Sequence, residues 1–123
     1  MHPTMNDFLD ALRTQERAIT AEYYAVGLRQ FHGWLTAKRL DPLKLTLADL
    51  QAYQRFLAEE YLKKDGKPLG RETQGTRMAH MLAYYRYLER QGLILGNPGR
   101  KIRLPSVPRK VTTKNYLDLQ EVT

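Results

Sequence analysis

The sequence predicts an all-α fold, a compact bundle of four helices followed by a short extended basic segment. Three observations carry this expectation. Apolar residues recur at three- and four-residue spacing in four separate stretches. Helix start and stop signals stand between those stretches. After residue 99 the composition changes abruptly to basic residues and prolines.

Met5, Phe8, Leu9 and Leu12 fall at i, i+3, i+4 and i+7, and Thr4 or Asn6 can cap this first helix at about residues 5–16. Its reading is a core-packing element with a secondary role as a protein contact. A break near Arg17 to Ile19 leads to Thr20, read as the N-cap of a second helix with Glu22 in its first turn. Tyr24, Leu28, Phe31 and Leu35 form its inward stripe. Arg29 points outward, flanked by Gln30 and His32, while Lys38 and Arg39 in the last turn equally suit the negative end of the helix dipole. Gly27, unfavourable by about 1 kcal/mol against alanine in mid-helix, points to a neighbouring backbone passing close by. Asp41-Pro42 ends this helix. Thr46 then caps a third, with Asp49 completing a capping box, and Leu50, Tyr53, Leu57 and Tyr61 as its stripe, ending near Leu62. Residues 63–70, KKDGKPLG, read as a mobile basic loop.

The fourth helix, about Arg71 to Gln91, organises the rest. Met78, Met81, Leu82, Tyr85 and Leu88 make its buried stripe; Thr73, Thr76, Arg77, His80, Tyr84 and Tyr87 are expected on the opposite side. That outward row offers donors, a cation and aromatics without a carboxylate, which suits DNA phosphates and base edges. Gly92 is a natural residue just past the helix end. Leu93-Ile94-Leu95 is expected to fold back on the core before Asn97-Pro98 turns the chain outward.

Length and charge narrow the function. The 123 residues suffice for one domain with a core, and the formal net charge of +7 favours a polyanionic partner. Residues 1–99 carry fourteen basic and eleven acidic side chains, and residues 100–123 six and two. The absence of cysteine excludes disulfides and thiolate metal sites. His2, His32 and His80 lack ligand spacing, no metal or other cofactor is expected, and no phosphate-loop, zinc-protease or nucleophile-elbow motif occurs. No membrane span or signal peptide is read, so the expected location is the cytoplasm. Residues 1–99 are read as the helical domain. Residues 100–123 are read as a basic linker that ends at a capping-box pattern, Asp118 to Glu121, opening a domain not present in the chain.

The ordered set Thr20, Tyr24, Leu28, Phe31, Trp34, Leu35; Leu45-Thr46 with Asp49-Leu50; Leu69, Thr73, Arg77-Met78, Tyr85, Tyr87-Leu88; Gly92-Leu93-Ile94 with Asn97-Pro98; then Leu104-Pro105 and Pro108-Arg109-Lys110 resembles the N-terminal SAM-like core-binding domain of tyrosine recombinases, the phage-integrase and Xer-type group. Gly27, the Gly70-Arg71 pair and the long 63–70 loop depart from that pattern. The resemblance implies a DNA-binding half of a site-specific recombinase or integrase. In it the second and fourth helices would clamp double-stranded DNA at a recombination half-site, alongside other recombinase protomers. Catalysis would lie in a domain absent from this chain, and the isolated domain would be monomeric.

By residue pattern and resemblance together, the expected DNA contacts are Arg71, Thr73, Thr76, Arg77 and His80 from the fourth helix. Arg29 and Gln30 from the second, Lys63, Lys64 and Lys67 from the loop, and Arg100, Lys101, Arg103, Arg109 and Lys110 from the linker complete the set. Arg77 stands first, because its planar fork fits phosphate or guanine. Two other readings compete: a helical protein-interaction module with a basic linker, and a small DNA-binding regulator acting on paired half-sites.

Overall fold

The computed structural model describes residues 1–15 and 18–103. Its order is α1 (Pro3–Gln15), α2 (Ala18–Lys38), a 3-10 turn (Pro42–Lys44), α3 (Leu47–Arg55), a π-helical turn (Phe56–Glu60), α4 (Arg71–Arg90) and a 3-10 turn (Pro98–Lys101). The all-α expectation holds: among the described residues the sole extended pairing is an isolated bridge between Leu62 and Pro68.

Helix limits follow the local chemistry, with corrections. α1 starts on Pro3, whose fixed φ and missing N–H suit the first helical position. Neither Thr4 nor Asn6 precedes it; Thr4 instead shares a 2.6 Å hydrogen bond with the Tyr84 hydroxyl. α2 likewise begins before Thr20, which lies inside the helix rather than capping it. The Thr46 capping box forms as expected: the Thr46 N–H donates to Asp49 Oδ2 at 3.0 Å and the Asp49 N–H donates to Thr46 Oγ1 at 3.2 Å. α4 ends on Gly92 at φ 72°, with Gly92 N–H donating to the Glu89 carbonyl and Leu93 N–H to the Leu88 carbonyl. This pair of bonds satisfies carbonyls that the helix end would leave open. α2 ends the same way on Arg39, at φ 57°, where glycine would be relaxed and arginine is strained.

The core lies where α2 and α4 cross, closed by α1 on one side and α3 on the other. Leu28, Phe31, Leu50, Tyr53, Leu57, Met78, Met81, Tyr85 and Leu88 are buried there. Tyr85 donates to the Pro42 carbonyl at 2.6 Å and so ties α4 to the turn after α2. Of the expected Leu93-Ile94-Leu95 return, only Ile94 reaches the core; Leu95 is 104% exposed. The Schellman-type end spends its geometry on backbone bonds, and three consecutive residues in a turn cannot all face one way. The 63–70 segment is a closed turn: Lys63 N–H donates to the Lys67 carbonyl at 2.9 Å and Lys67 N–H to Asp65 Oδ1 at 2.9 Å.

Candidate nucleic-acid interface

A surface groove of about 570 Å³ runs along α2, bordered by the π-helical turn and by Arg77 of α4. α2 contributes Val26, Arg29, Gln30, Gly33, Trp34, Ala37 and Lys38; α4 contributes Arg77; Phe56, Glu60 and Tyr61 line the rest. The π turn explains the last set. Its bond from Tyr61 N–H to the Phe56 carbonyl, 2.9 Å, is of the i→i+5 kind and brings residues five apart onto one side. An α-helix continuing to Leu62, as the sequence suggested, would have separated them. Phe56 and Tyr61 thus extend a run of aromatic rings through Trp34 and Tyr53, with neighbouring centroids 5.2–6.4 Å apart.

The groove is basic. Arg29, Lys38 and Arg77 face one acid, Glu60, and among the described residues none of these three cations is ion-paired. Arg77 Nε and both amide atoms of Gln30 are buried without a hydrogen-bond partner. An unpaired buried polar group costs about 1–3 kcal/mol, so native chains keep few of them. Three of the five such atoms among the described residues belong to residues that line this groove.

The sequence expectations divide. Arg29, Gln30 and Arg77 meet in this groove, together with Lys38, which the helix-dipole reading also explained. Arg71, Thr73 and Thr76 occupy the first turns of α4 leading toward Arg77, with Arg71 and Thr73 exposed. His80 is not on the open face. It is 3% exposed, stacked on Tyr24 with centroids 4.4 Å apart and edge-on to Tyr23 at 4.9 Å, its Nδ1 buried and unpartnered. A side chain so enclosed cannot contact DNA directly. Burial, and next the Arg77 charge, hold its pKa down at about 4, so it is neutral. Tyr84, expected outward, is fully buried as well, and burial pushes its phenol up to about 12. Both corrections have one cause: α1 and α2 wrap α4 from two sides, so its buried arc is wider than a single stripe.

The glycine at residue 27 provides for His80. A Cβ there would lie 2.7 Å from His80 Nδ1, so the close approach is by a side chain and not by the backbone expected. Lys63 pairs with Asp65 at 3.8 Å, whereas Lys64 and Lys67 are exposed in the closed turn. Arg100 is paired with Glu89, whose carboxyl it holds below the ordinary range. Arg100 and Lys101 line a separate hollow with Leu45, Leu47 and Pro98, outside the α2–α4 groove. The Arg103 carbonyl accepts from Gln54 Nε2 at 2.9 Å. Arg109, Lys110 and the Asp118 pattern lie outside the described residues.

The sequence reading missed Val26, Gly33, Phe56 and Tyr61 as groove residues. Gly33 carried a signal, a second glycine in mid-helix; the others gave none, since the π turn is invisible to periodicity. Burial also pushes the Tyr53 and Tyr85 phenols above their ordinary range, which disfavours them as nucleophiles. Among the described residues no cluster of His, Asp and Glu could hold a metal, and no helix is long and apolar enough to cross a membrane.

Comparison with known proteins gives a consistent set of relatives. The chain is 31% identical over 112 residues to a protein named tyrosine recombinase XerC 2 from Ralstonia nicotianae, spanning 90% of this chain and 32% of that protein. It is 30% identical over 125 residues to tyrosine recombinase XerC of Pelotomaculum thermopropionicum, spanning 96% and 39%. To the XerC recombinase of Leptospira interrogans it is 23% identical over 118 residues, spanning 94% and 36%. No protein-family model and no solved structure matches. The chain spans about a third of the length of the curated relatives it matches, and over nearly all of its own length it is similar to tyrosine recombinases.

Proposed function

We propose that this chain is the DNA-binding half of a site-specific tyrosine recombinase, gripping double-stranded DNA at a recombination half-site through the α2–α4 groove. The observation that carries this reading is the groove itself. Arg29, Lys38 and Arg77 converge on it without partners, beside an unpaired Gln30 amide. Similarity to XerC recombinases over nine-tenths of the chain supports the same reading. Arg77 and Arg29 supply charge to the phosphates, Arg71, Thr73 and Thr76 extend the contact along the start of α4, and Lys64 and Lys67 reach the flank. The strand-cleaving chemistry belongs to residues outside these 123, and further recombinase protomers join on the DNA.

The test is an NMR titration of the labelled chain with short duplex DNA at low and moderate salt. Amide shifts clustering on residues 29–38 and 71–77 and fading with salt are expected. With about five phosphates neutralised, the log–log salt slope is roughly −4.5. Arg77→Ala weakens duplex binding about uniformly across sequences and lowers the salt slope by about 1, read by fluorescence anisotropy. Shifts confined to residues 100–123, or none at low salt, would turn the reading toward a protein-interaction module with a basic linker.

A further inference from the structure

The side of α4 turned away from Arg77 carries a different surface. Arg86 follows Arg77 by nine residues and Arg90 by thirteen, which at about 100° per residue puts both roughly half a turn round the helix from it. There Arg86, Arg90 and Arg100 surround a hollow of about 440 Å³ that Leu82 and Ile102 also line. Arg86 and Arg90 are exposed and, among the described residues, neither is ion-paired. Arg100 pairs with Glu89, the only acid lining the hollow. An adjoining hollow shares Glu89, Asn97 and Arg100 with the first and adds Lys101, Leu47 and Leu95, the last of these fully exposed. The turn at Pro98–Lys101 walls both. Asn97 Oδ1 accepts from the Gly99 N–H at 2.8 Å, and a Cβ on Gly99 would lie 2.7 Å from Leu82 Cδ2, so this turn is seated tightly on α4.

Four cations by themselves would suit phosphates. Two features favour a protein instead: a carboxylate stands among the arginines, where it would repel a phosphate backbone, and the adjoining lining is leucine, for which that backbone offers no contact. Exposed leucine rimmed by arginine is the composition of a protein-binding patch. We propose that this face docks an acidic segment of a partner protein, its carboxylates received by Arg86, Arg90 and Arg100 and a neighbouring apolar side chain resting on Leu47 and Leu95. Charge complementarity selects the occupant, since the planar guanidinium fork takes a carboxylate through two parallel hydrogen bonds. Position allows it: a partner on this side of α4 leaves the α2–α4 groove open. The inference goes beyond the DNA-binding reading and does not depend on it.

The experiment selects peptides from a random phage-displayed library on the full 123-residue chain, with duplex DNA added to fill the α2–α4 groove. Enriched peptides are expected to combine two or more acidic residues with a leucine or another apolar residue. The strongest of them, synthesised, should shift amides of residues 47, 86–90 and 95–101 in the labelled chain. Arg86→Glu together with Arg90→Glu should weaken that peptide by about tenfold or more and leave the melting temperature unchanged. Duplex binding by the double variant should also be unchanged at about 0.15 M salt, where distant charges are screened. Leu95→Ser should weaken the peptide by about tenfold. Enrichment without acidic residues, shifts confined to the α2–α4 groove, or full peptide binding by the double variant overturns the proposal. Loss of duplex binding in that variant would assign the hollow to DNA, and self-association abolished by it would assign the hollow to a second copy; either result overturns the proposal too. So would movement of amides 86–101 on Asp118→Lys with Glu121→Lys in the absence of peptide, which would make the chain's own end the occupant. Wild-type duplex binding is read separately, so failure here and failure of the clamp reading are distinguishable.

Discussion

His80 shows how a polar side chain can be structural. Its ring fills the notch over Gly27 and stacks on Tyr24, and Arg77 one turn earlier on α4 adds a repelling charge. The folded pKa of about 4 lies below the ordinary 6.5, so the unfolded chain takes up a proton first as pH falls. Stability from this residue is fully present above pH 6.5 and is lost between 6.5 and about 4, by about 3 kcal/mol. Urea unfolding across that range should show the slope in the wild type and lose it in His80→Phe; equal slopes would refute the assignment. Arg39 offers the opposite case, strain that can be removed. With its backbone at φ 57°, Arg39→Gly should raise stability by about 1 kcal/mol in urea unfolding.

Among the elements, α3 and its continuation show which local signals survive folding. The Thr46–Asp49 box satisfies two otherwise open N–H groups, and Thr46→Ala should cost about 1 kcal/mol, measurable as a shift of the urea midpoint with an unchanged m-value. The π turn after Arg55 is different. Leu57 is fully buried in the core, whereas Phe56 and Tyr61 pack against its edge and line the groove, and a regular α-helix cannot present those two on one side. The turn resolves that competition at the cost of regular bonding, next to the candidate interface, where such irregularities concentrate. The end of α2 makes a similar trade at Arg39.

For the whole molecule, α4 is the common partner. It contacts α1, α2, the π-helical turn after α3 and the 3-10 turn at Pro98–Lys101, so its buried arc covers Met78, His80, Met81, Tyr84, Tyr85 and Leu88. Met81→Asp places a carboxylate at a position 1% exposed and should abolish the cooperative thermal transition; native melting would show that the helix face is wrongly assigned. The same centrality couples fold to interface. Arg77 lies one residue before Met78, so the core that fixes α4 also fixes the cation at the groove.

By itself the sequence determined the helical class, the Thr46 cap, the Gly92 stop, the buried Leu28, Phe31 and Leu35 of α2, the buried Leu50, Tyr53 and Leu57 after it, and the basic character of Arg29 and Arg77. These are properties of spacing, side-chain chemistry and backbone freedom, and each acts over less than two helical turns. Only the tertiary structure decided which faces of α4 are covered, because that depends on how many neighbours wrap it; hence His80 and Tyr84 went inward and only Ile94 of its triplet reached the core. It also decided that Arg29, Gln30, Lys38 and Arg77, up to 48 residues apart in the chain, share one groove. Convergence of side chains from different helices has no periodic signature, since it is set by the crossing of α2 and α4 and not by either helix alone.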